Sequence, residues 1–304
     1  TKYKYFVKSN NYYEIFKSIL ISLLHDETIC LLDGDFTFEE TEKLIAGDDL
    51  NKEIHVKKSN YSSFDELLLN INNVKKWELS LFTSGTTGLP KRINHNFSSL
   101  TRNCKVADRF SENNWAFAYN PTHMAGLQVF LQAVLNCNPI IRLFNLSHSQ
   151  IFDSIKKYNI SNISATPSFY RLILSSATKE FHSVTRITSG GEKLDESSKA
   201  RLTKMFPNSK FLNVYASTEA GSIFASKNDL FQLNDISSDK IKIKNNELYI
   251  HKDLVGSGAE NKFINNWYPT GDIVKIVSKN PLKFKFISRK NEMINVGGYK
   301  VNPF

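Results

Sequence analysis

The chain has 304 residues, is 41% hydrophobic with a mean hydropathy of -0.33, and carries a net charge of +9. That length calls for one large domain with a lesser lobe, or for two domains. No apolar run approaches the roughly 18 residues of a membrane helix, no signal-peptide core follows the Lys-aromatic N-terminus, and three scattered cysteines without a Cys-x-x-Cys spacing argue against disulfides and zinc and for a reducing cytoplasm. The basic excess lies in short tracts, so it reads as solvated faces with a mild attraction for small polyanions and not as a nucleic-acid surface.

In chain order, periodicity predicts a helix over Tyr12 to Leu24, a strand over Thr28 to Leu32 and a turn at Asp33-Gly34-Asp35. A helix over Phe64 to Val74 and a strand over Glu78 to Thr83 follow, then a helix over Phe97 to Phe110 and a strand over Trp115 to Tyr119. Next come a helix over Met124 to Leu135, a strand over Pro139 to Leu143, a helix over Ser149 to Tyr158 and a strand over Ile163 to Ala165. Pro167 opens another helix, and Val184 to Ser189, Ser197 to Phe206 and Phe211 to Tyr215 complete the series. Such alternation predicts an α/β fold of helix-covered, mostly parallel β-sheets. After about Asp239 only short strands remain (Ile241 to Lys244, Leu248 to His251, Ile273 to Val277, Phe284 to Ile287), with a hairpin turn at Lys244-Asn-Asn-Glu247. They predict a small β-rich lobe near the C-terminus, antiparallel or barrel-like. The expected division is 1–238 for the α/β sheets and 239–290 for the lobe.

Several segments bear chemistry. Leu81-Phe-Thr-Ser-Gly-Thr-Thr-Gly-Leu-Pro-Lys91 follows a strand and holds two glycines, four hydroxyls and a lysine. Gly85 and Gly88 let backbone N–H groups approach a ligand, while Thr83, Ser84, Thr86, Thr87 and the Lys91 charge suit phosphate oxygens. The spacing is not that of the common nucleotide P-loop. Ser189-Gly190-Gly191-Glu192, at a strand end, either lets backbone lie against a flat ring or makes a simple turn. In Asn213-Val-Tyr-Ala-Ser-Thr-Glu-Ala-Gly221 a tyrosine can stack on a base, and a Thr-Glu pair offers phosphate a hydroxyl and Mg²⁺ a carboxylate. The alternatives are a core tyrosine and a capping pair. Trp267-Tyr-Pro-Thr-Gly-Asp272 presents an acceptor-only carboxylate suited to two ribose hydroxyls, or else a plain turn.

Together these strings, with Ile287-Ser-Arg-Lys-Asn-Glu-Met-Ile-Asn-Val-Gly-Gly-Tyr-Lys-Val-Asn-Pro303, resemble in order the motifs of the acyl-adenylating enzymes: acyl-CoA synthetases, nonribosomal-peptide adenylation domains and luciferases. The resemblance runs from about Trp77 to the end. It implies a large N-terminal domain over 1–290, with 291–304 forming a hinge near Asn291 and the start of a small C-terminal domain otherwise outside this chain. It further implies that residues 83–88 hold phosphate, that Gly190, Gly191 and Glu192 line the adenine and acyl pocket, and that Tyr215 stacks on adenine beside Ala216 and Ser217. Ala216 replaces the family's usual glycine. Thr218 would touch the α-phosphate, Glu219 would bind Mg²⁺, Asp272 the ribose and Arg289 ribose or phosphate, and Gly297 and Gly298 would line a thiol tunnel. Lys91, Thr218, Glu219 and His123 carry the implied catalysis.

The resemblance implies that His123, in Tyr119-Asn-Pro-Thr-His-Met-Ala-Gly126, stands at the carboxylate end of the acyl pocket; the alternative is a satisfied loop histidine. No acid lies between Tyr119 and Gly126 to balance a buried ammonium, which predicts a simple carboxylic acid in place of an α-amino acid. Ser164-Ala-Thr-Pro167 is expected to add pocket wall. The implied reaction uses ATP and Mg²⁺ to make an acyl-AMP, then a thiol of CoA or of a carrier-protein pantetheine to make a thioester. The alternative is a nucleotide-binding fragment without full activity, since the family's C-terminal domain supplies a lysine that assists adenylation.

Overall fold

The computed structural model describes residues 2–56, 60–83, 90–176, 179–192, 194–233, 239–290, 294–296 and 299–301. Three main sheets organise them. The first runs Phe6–Lys8, Ile29–Leu32, Glu78–Phe82, Arg92–Asn96, with two parallel pairs and a last antiparallel one. The central sheet runs Gly221–Ser226, Lys210–Ser217, Arg186–Gly190, Asn162–Ala165, Trp115–Phe117, Ile140–Arg142, parallel except for its first pair. The third is antiparallel: Phe231–Gln232, Leu282–Arg289, Trp267–Lys279, Glu247–His251, Ile241–Lys244. The expected α/β class with a β-rich C-terminal part is the one observed, although Phe231–Gln232 already belongs to the third sheet.

Local chemistry explains these elements. Ile29–Leu32 and Asn162–Ala165 are buried along their whole length, as strands covered on both faces are. Helix starts are marked by side-chain acceptors: Asn11 before Tyr12–Leu24, Ser63 before Phe64–Asn72, Thr166 before Pro167–Ser175 and Asp195 before Glu196–Met205. The turn between Ile241–Lys244 and Glu247–His251 has φ of 51° at Asn245 and 62° at Asn246, the left-handed pair of a two-residue hairpin.

One core joins the first sheet to the central one. It gathers Ile15, Ile19 and Leu23 from the first helix, Leu31, Leu79 and Leu81 from the strands, and Phe117, Leu127 and Phe130 from beyond. Each such buried side chain contributes roughly 1.5–3 kcal/mol. Asp26 takes N–H bonds from Lys75, Lys76 and Trp77 at 3.0, 2.8 and 2.7 Å, while the Trp77 indole donates to Ser22 at 2.9 Å. These bonds set the path of Glu78–Phe82, the strand that leads to residues 83–91.

The helix expected from Phe97 to Phe110 is shorter. It covers Phe97–Thr101, and a 3₁₀ turn over Asp108–Phe110 follows. The backbone between them is satisfied from outside: Lys105 exchanges bonds with Gln132, and Ala107 N–H donates to Asn136. Arg102 and Asn103 turn toward the central sheet instead of continuing the helix.

Candidate functional site

The site is built from strand ends and the turns after them. At the end of Glu78–Phe82, Thr83 N–H donates to the Lys91 carbonyl at 2.9 Å, and Lys91 N–H donates to Thr83 Oγ1 at 3.2 Å. This pair closes the neck of the Gly/Thr-rich loop. Thr83 Oγ1 accepts there, and a hydroxyl that accepts can still donate its own hydrogen. Ser84, Gly85, Thr86, Thr87 and Gly88 lie outside the described residues, as do Gly297, Gly298 and the hinge position Asn291. The Lys91 side chain is exposed.

The strand after that loop, Arg92–Asn96, carries His95, which no motif had marked. Its Nε2–H donates to the Thr218 carbonyl at 2.8 Å. The acceptor requires the proton on Nε2, leaving Nδ1 for the Ser99 hydroxyl at 3.3 Å. Arg102 donates to the Ala220 carbonyl at 3.3 Å, and Gly256 N–H to the Glu219 carbonyl at 2.7 Å. Three successive carbonyls are thus held by three different elements. Inside the turn, Ser217 Oγ accepts from Ala220 N–H at 3.2 Å. The register shift between Tyr215 and Ala216 marks the bulge that opens the turn. Thr218 and Glu219 therefore sit on a backbone that is fixed in advance. The Glu219 carboxylate accepts from the Tyr268 hydroxyl at 2.9 Å and faces Lys262 Nζ at 3.8 Å.

Burial pushes the His95 imidazole below its ordinary 6.5, against the opposing effect of its bond to Thr218. An unfolded chain then takes up a proton that the fold refuses, so stability present above pH 6.5 is lost as pH falls below it. His95→Gln keeps a donor but cannot charge. A flatter dependence of Tm on pH below 6.5 is expected for that variant, and a slope equal to wild type would refute the assignment.

Beside this turn, three motif residues meet. The Tyr215 hydroxyl donates to Asp272 Oδ2 at 2.5 Å, and Arg289 Nε lies 3.5 Å from Asp272 Oδ1. Asp272 and Arg289 are cross-strand partners. Thr270 Oγ1 accepts the Asp272 N–H at 3.0 Å and donates to the Leu248 carbonyl at 2.8 Å. The buried Glu247 takes the Gly271 N–H at 3.1 Å and pairs with Lys290 at 3.4 Å. Burial, reinforced by the Asp272 charge, drives the Tyr215 phenol well above its usual value. Burial also raises Asp272, outweighing the hydrogen bonds and the Arg289 charge that pull it down. Phe286 stacks on Tyr215 with centroids 4.3 Å apart at 15°. Phe286 belongs to none of the motifs, although the alternation Lys283-Phe-Lys-Phe286 puts Phe284 and Phe286 on one face.

The glycine pair is adjacent. Gly190 stands in parallel register with Val214, whose carbonyl would lie 3.1 Å from a Cβ there. Gly191 has φ of 90°, a conformation that favours glycine. Glu192 is exposed and faces Arg171 at 3.6 Å. His123 caps Met124–Val134 by position, and its Nε2 lies 2.8 Å from Asp33 Oδ2. Burial favours a raised Asp33, but bonds from the Asp35 N–H, His123 and Asn120 leave it below the ordinary value. The lack of an acid between Tyr119 and Gly126 thus does not leave that segment without a carboxylate; Asp33 arrives from the predicted turn, engaged by this chain's own donors.

Among the described residues no group of three or more His, Cys, Asp or Glu side chains converges as a metal cage. A single carboxylate such as Glu219 is still compatible with Mg²⁺, which keeps several waters and takes its other ligands from phosphate. No helix among the described residues is long and apolar enough to cross a membrane.

A family model described as AMP-binding enzyme matches residues 27–258. A 2-succinylbenzoate–CoA ligase of Staphylococcus aureus strain JH9 is 26% identical over 282 residues, covering 84% of this chain and 55% of its own. That of strain Newman is 27% identical over 250 residues, covering 74% and 49%. The chain thus spans about half the length of the curated relatives it matches. Bacillus subtilis O-succinylbenzoate coenzyme A synthetase (MenE), solved with ATP and magnesium ion, superimposes with a TM-score of 0.68 at 16% identity, over 97% of this chain and 71% of that one. ATP-bound MatB from Rhodopseudomonas palustris gives 0.70 at 16% identity, over 98% and 71%. At these identities the likeness is one of fold.

Proposed function

The chain belongs to the AMP-binding enzyme family, and on that premise we propose that it activates a carboxylic acid with ATP and passes the acyl group to a thiol. The substrate carboxylate oxygen attacks the α-phosphorus, the bond to pyrophosphate breaks, and an acyl-AMP forms. A thiol sulfur of CoA then attacks the acyl carbon, the bond to AMP breaks, and a thioester is released. The relatives' names as CoA ligases support CoA as acceptor; a carrier-protein pantetheine presents the same thiol. Residues 1–290 would form the large domain and 291–304 the hinge and the start of a C-terminal domain, in a reducing cytoplasm.

The observation that carries this reading is the meeting of Tyr215, Asp272 and Arg289, drawn from three separate motifs, beside the prefixed Thr218–Glu219 turn. Tyr215, backed by Phe286, offers a ring face for adenine. Asp272 would accept ribose hydroxyls, with Arg289 adding positive charge. The Thr218 hydroxyl and the Lys91 loop would bind phosphate oxygens, and His123 would sit at the carboxylate end of the acyl pocket, oriented by Asp33. Glu219 would hold Mg²⁺, which when bound supplies charge neutralisation at phosphate.

Exchange of labelled pyrophosphate into ATP, measured across aliphatic, aromatic and amino acids, tests the reading. Exchange with one carboxylic acid is expected. ATP binding without exchange for any acid would favour a nucleotide-binding module instead.

A further inference from the structure

Glu219 has a partner that no motif predicts. Its side chain is only 14% exposed, and a carboxylate so withdrawn from water needs compensation. Tyr268 supplies one hydrogen bond. Lys262 Nζ supplies charge at 3.8 Å from Oε1 and also donates to the Tyr268 hydroxyl at 3.2 Å, closing a triangle of three side chains. Lys262 does not arrive there by drift. It ends a 3₁₀ turn, Glu260–Lys262, whose own N–H bonds to the Ala259 carbonyl at 3.0 Å. The turn is anchored by Glu260, which takes the Gly258 N–H at 2.8 and 2.9 Å. The next residue, Phe263, meets the Tyr268 ring edge-on with centroids 6.1 Å apart.

An ammonium is a donor and cannot ligate a cation, and like charges on one carboxylate repel. We propose that Lys262 is a built-in counter-ion of Glu219 that a divalent cation has to displace, so that cation loading at this turn is an exchange of ammonium for metal. The proposal rests on the reading of Glu219 as the metal ligand. The lysine is 43% exposed on a flexible stem, which lets it swing into water when displaced. Its presence keeps the carboxylate compensated while no metal is bound and lowers the apparent affinity for the cation.

Free Mn²⁺, followed by its paramagnetic resonance signal during titration into the AMP-bound protein, tests this without catalysis. Lys262→Met should bind Mn²⁺ about fivefold more tightly, the size of a partly exposed ion pair. Lys262→Arg should behave as wild type. Equal or weaker binding by Lys262→Met, with Glu219→Gln losing the ion, would overturn the proposal and leave the metal reading intact. Wild-type binding by Glu219→Gln would overturn both.

Discussion

Asp272→Asn should weaken ATP binding by about a hundredfold, the worth of charge-assisted bonds to two hydroxyls, while leaving the unliganded protein at least as stable as wild type. The two halves of this expectation share one cause. The Asp272 carboxyl is held above its ordinary 3.8, first of all by burial. Below that ordinary value both folded and unfolded chains are protonated, and the fold keeps its full stability. As pH rises the unfolded chain ionises first, and stability is lost until the raised folded value is passed. Asparagine cannot ionise and escapes that loss, yet its carbonyl can still accept from Tyr215. Arg289, largely in water, gives up an ion pair of small worth. Calorimetric titration with ATP, with Tm recorded across the acid range, checks both halves. A variant that binds ATP normally would remove Asp272 from the site. One that melts lower than wild type near neutrality would make its role structural.

Gly256→Ala is expected to cost about 3 kcal/mol and several degrees in Tm, at the upper end of the range for overpacking. A Cβ there would lie 2.6 Å from the Asn94 carbonyl oxygen, 2.7 Å from His95 Cε1 and 2.8 Å from Ile93 Cγ2. Two of those atoms are held by a strand backbone and a buried ring, so the loop bearing Gly256 has to retreat. That retreat breaks the 2.7 Å bond from Gly256 N–H to the Glu219 carbonyl. Pyrophosphate exchange should fall by more than the loss of folded protein explains, since the turn loses one of its three outer anchors. Thermal denaturation and exchange, measured together at a temperature where the variant is folded, check this. An alanine variant as stable as wild type would show that the close packing is not as described.

Residues that later meet at the cluster were legible because each sits in a short string with its own chemistry. Tyr215, Asp272 and Arg289 could be named without knowing that they touch. Their supports were not legible. His95 acts on Thr218 across 123 residues, Lys262 on Glu219 from a stretch without any motif, and Asp33 on His123 across 90 residues. Such contacts leave no local periodicity to read. The alternation of strands and helices was visible because parallel sheets favour continuous apolar runs. Arg92–Asn96 escaped notice because Arg-Ile-Asn-His-Asn is poor in strand-forming types, and its strand state comes from its partner Glu78–Phe82. Phe38–Ile45 was overlooked despite its Thr37–Glu40 capping box, being short and polar.

The contacts that fix the Thr218–Ala220 turn also bear on how the molecule comes to be. The bonds from His95 to Thr218 and from Arg102 to Ala220 close loops of 123 and 118 residues. Long closures of this kind are made only after local pairings have formed. The first and central sheets can each complete their own ladders before the turn takes its final shape. A chain in which those two closures are missing lacks the anchored turn. An intact Thr218–Ala220 turn therefore reports that Arg92–Asn96 and the helix after it have met the central sheet.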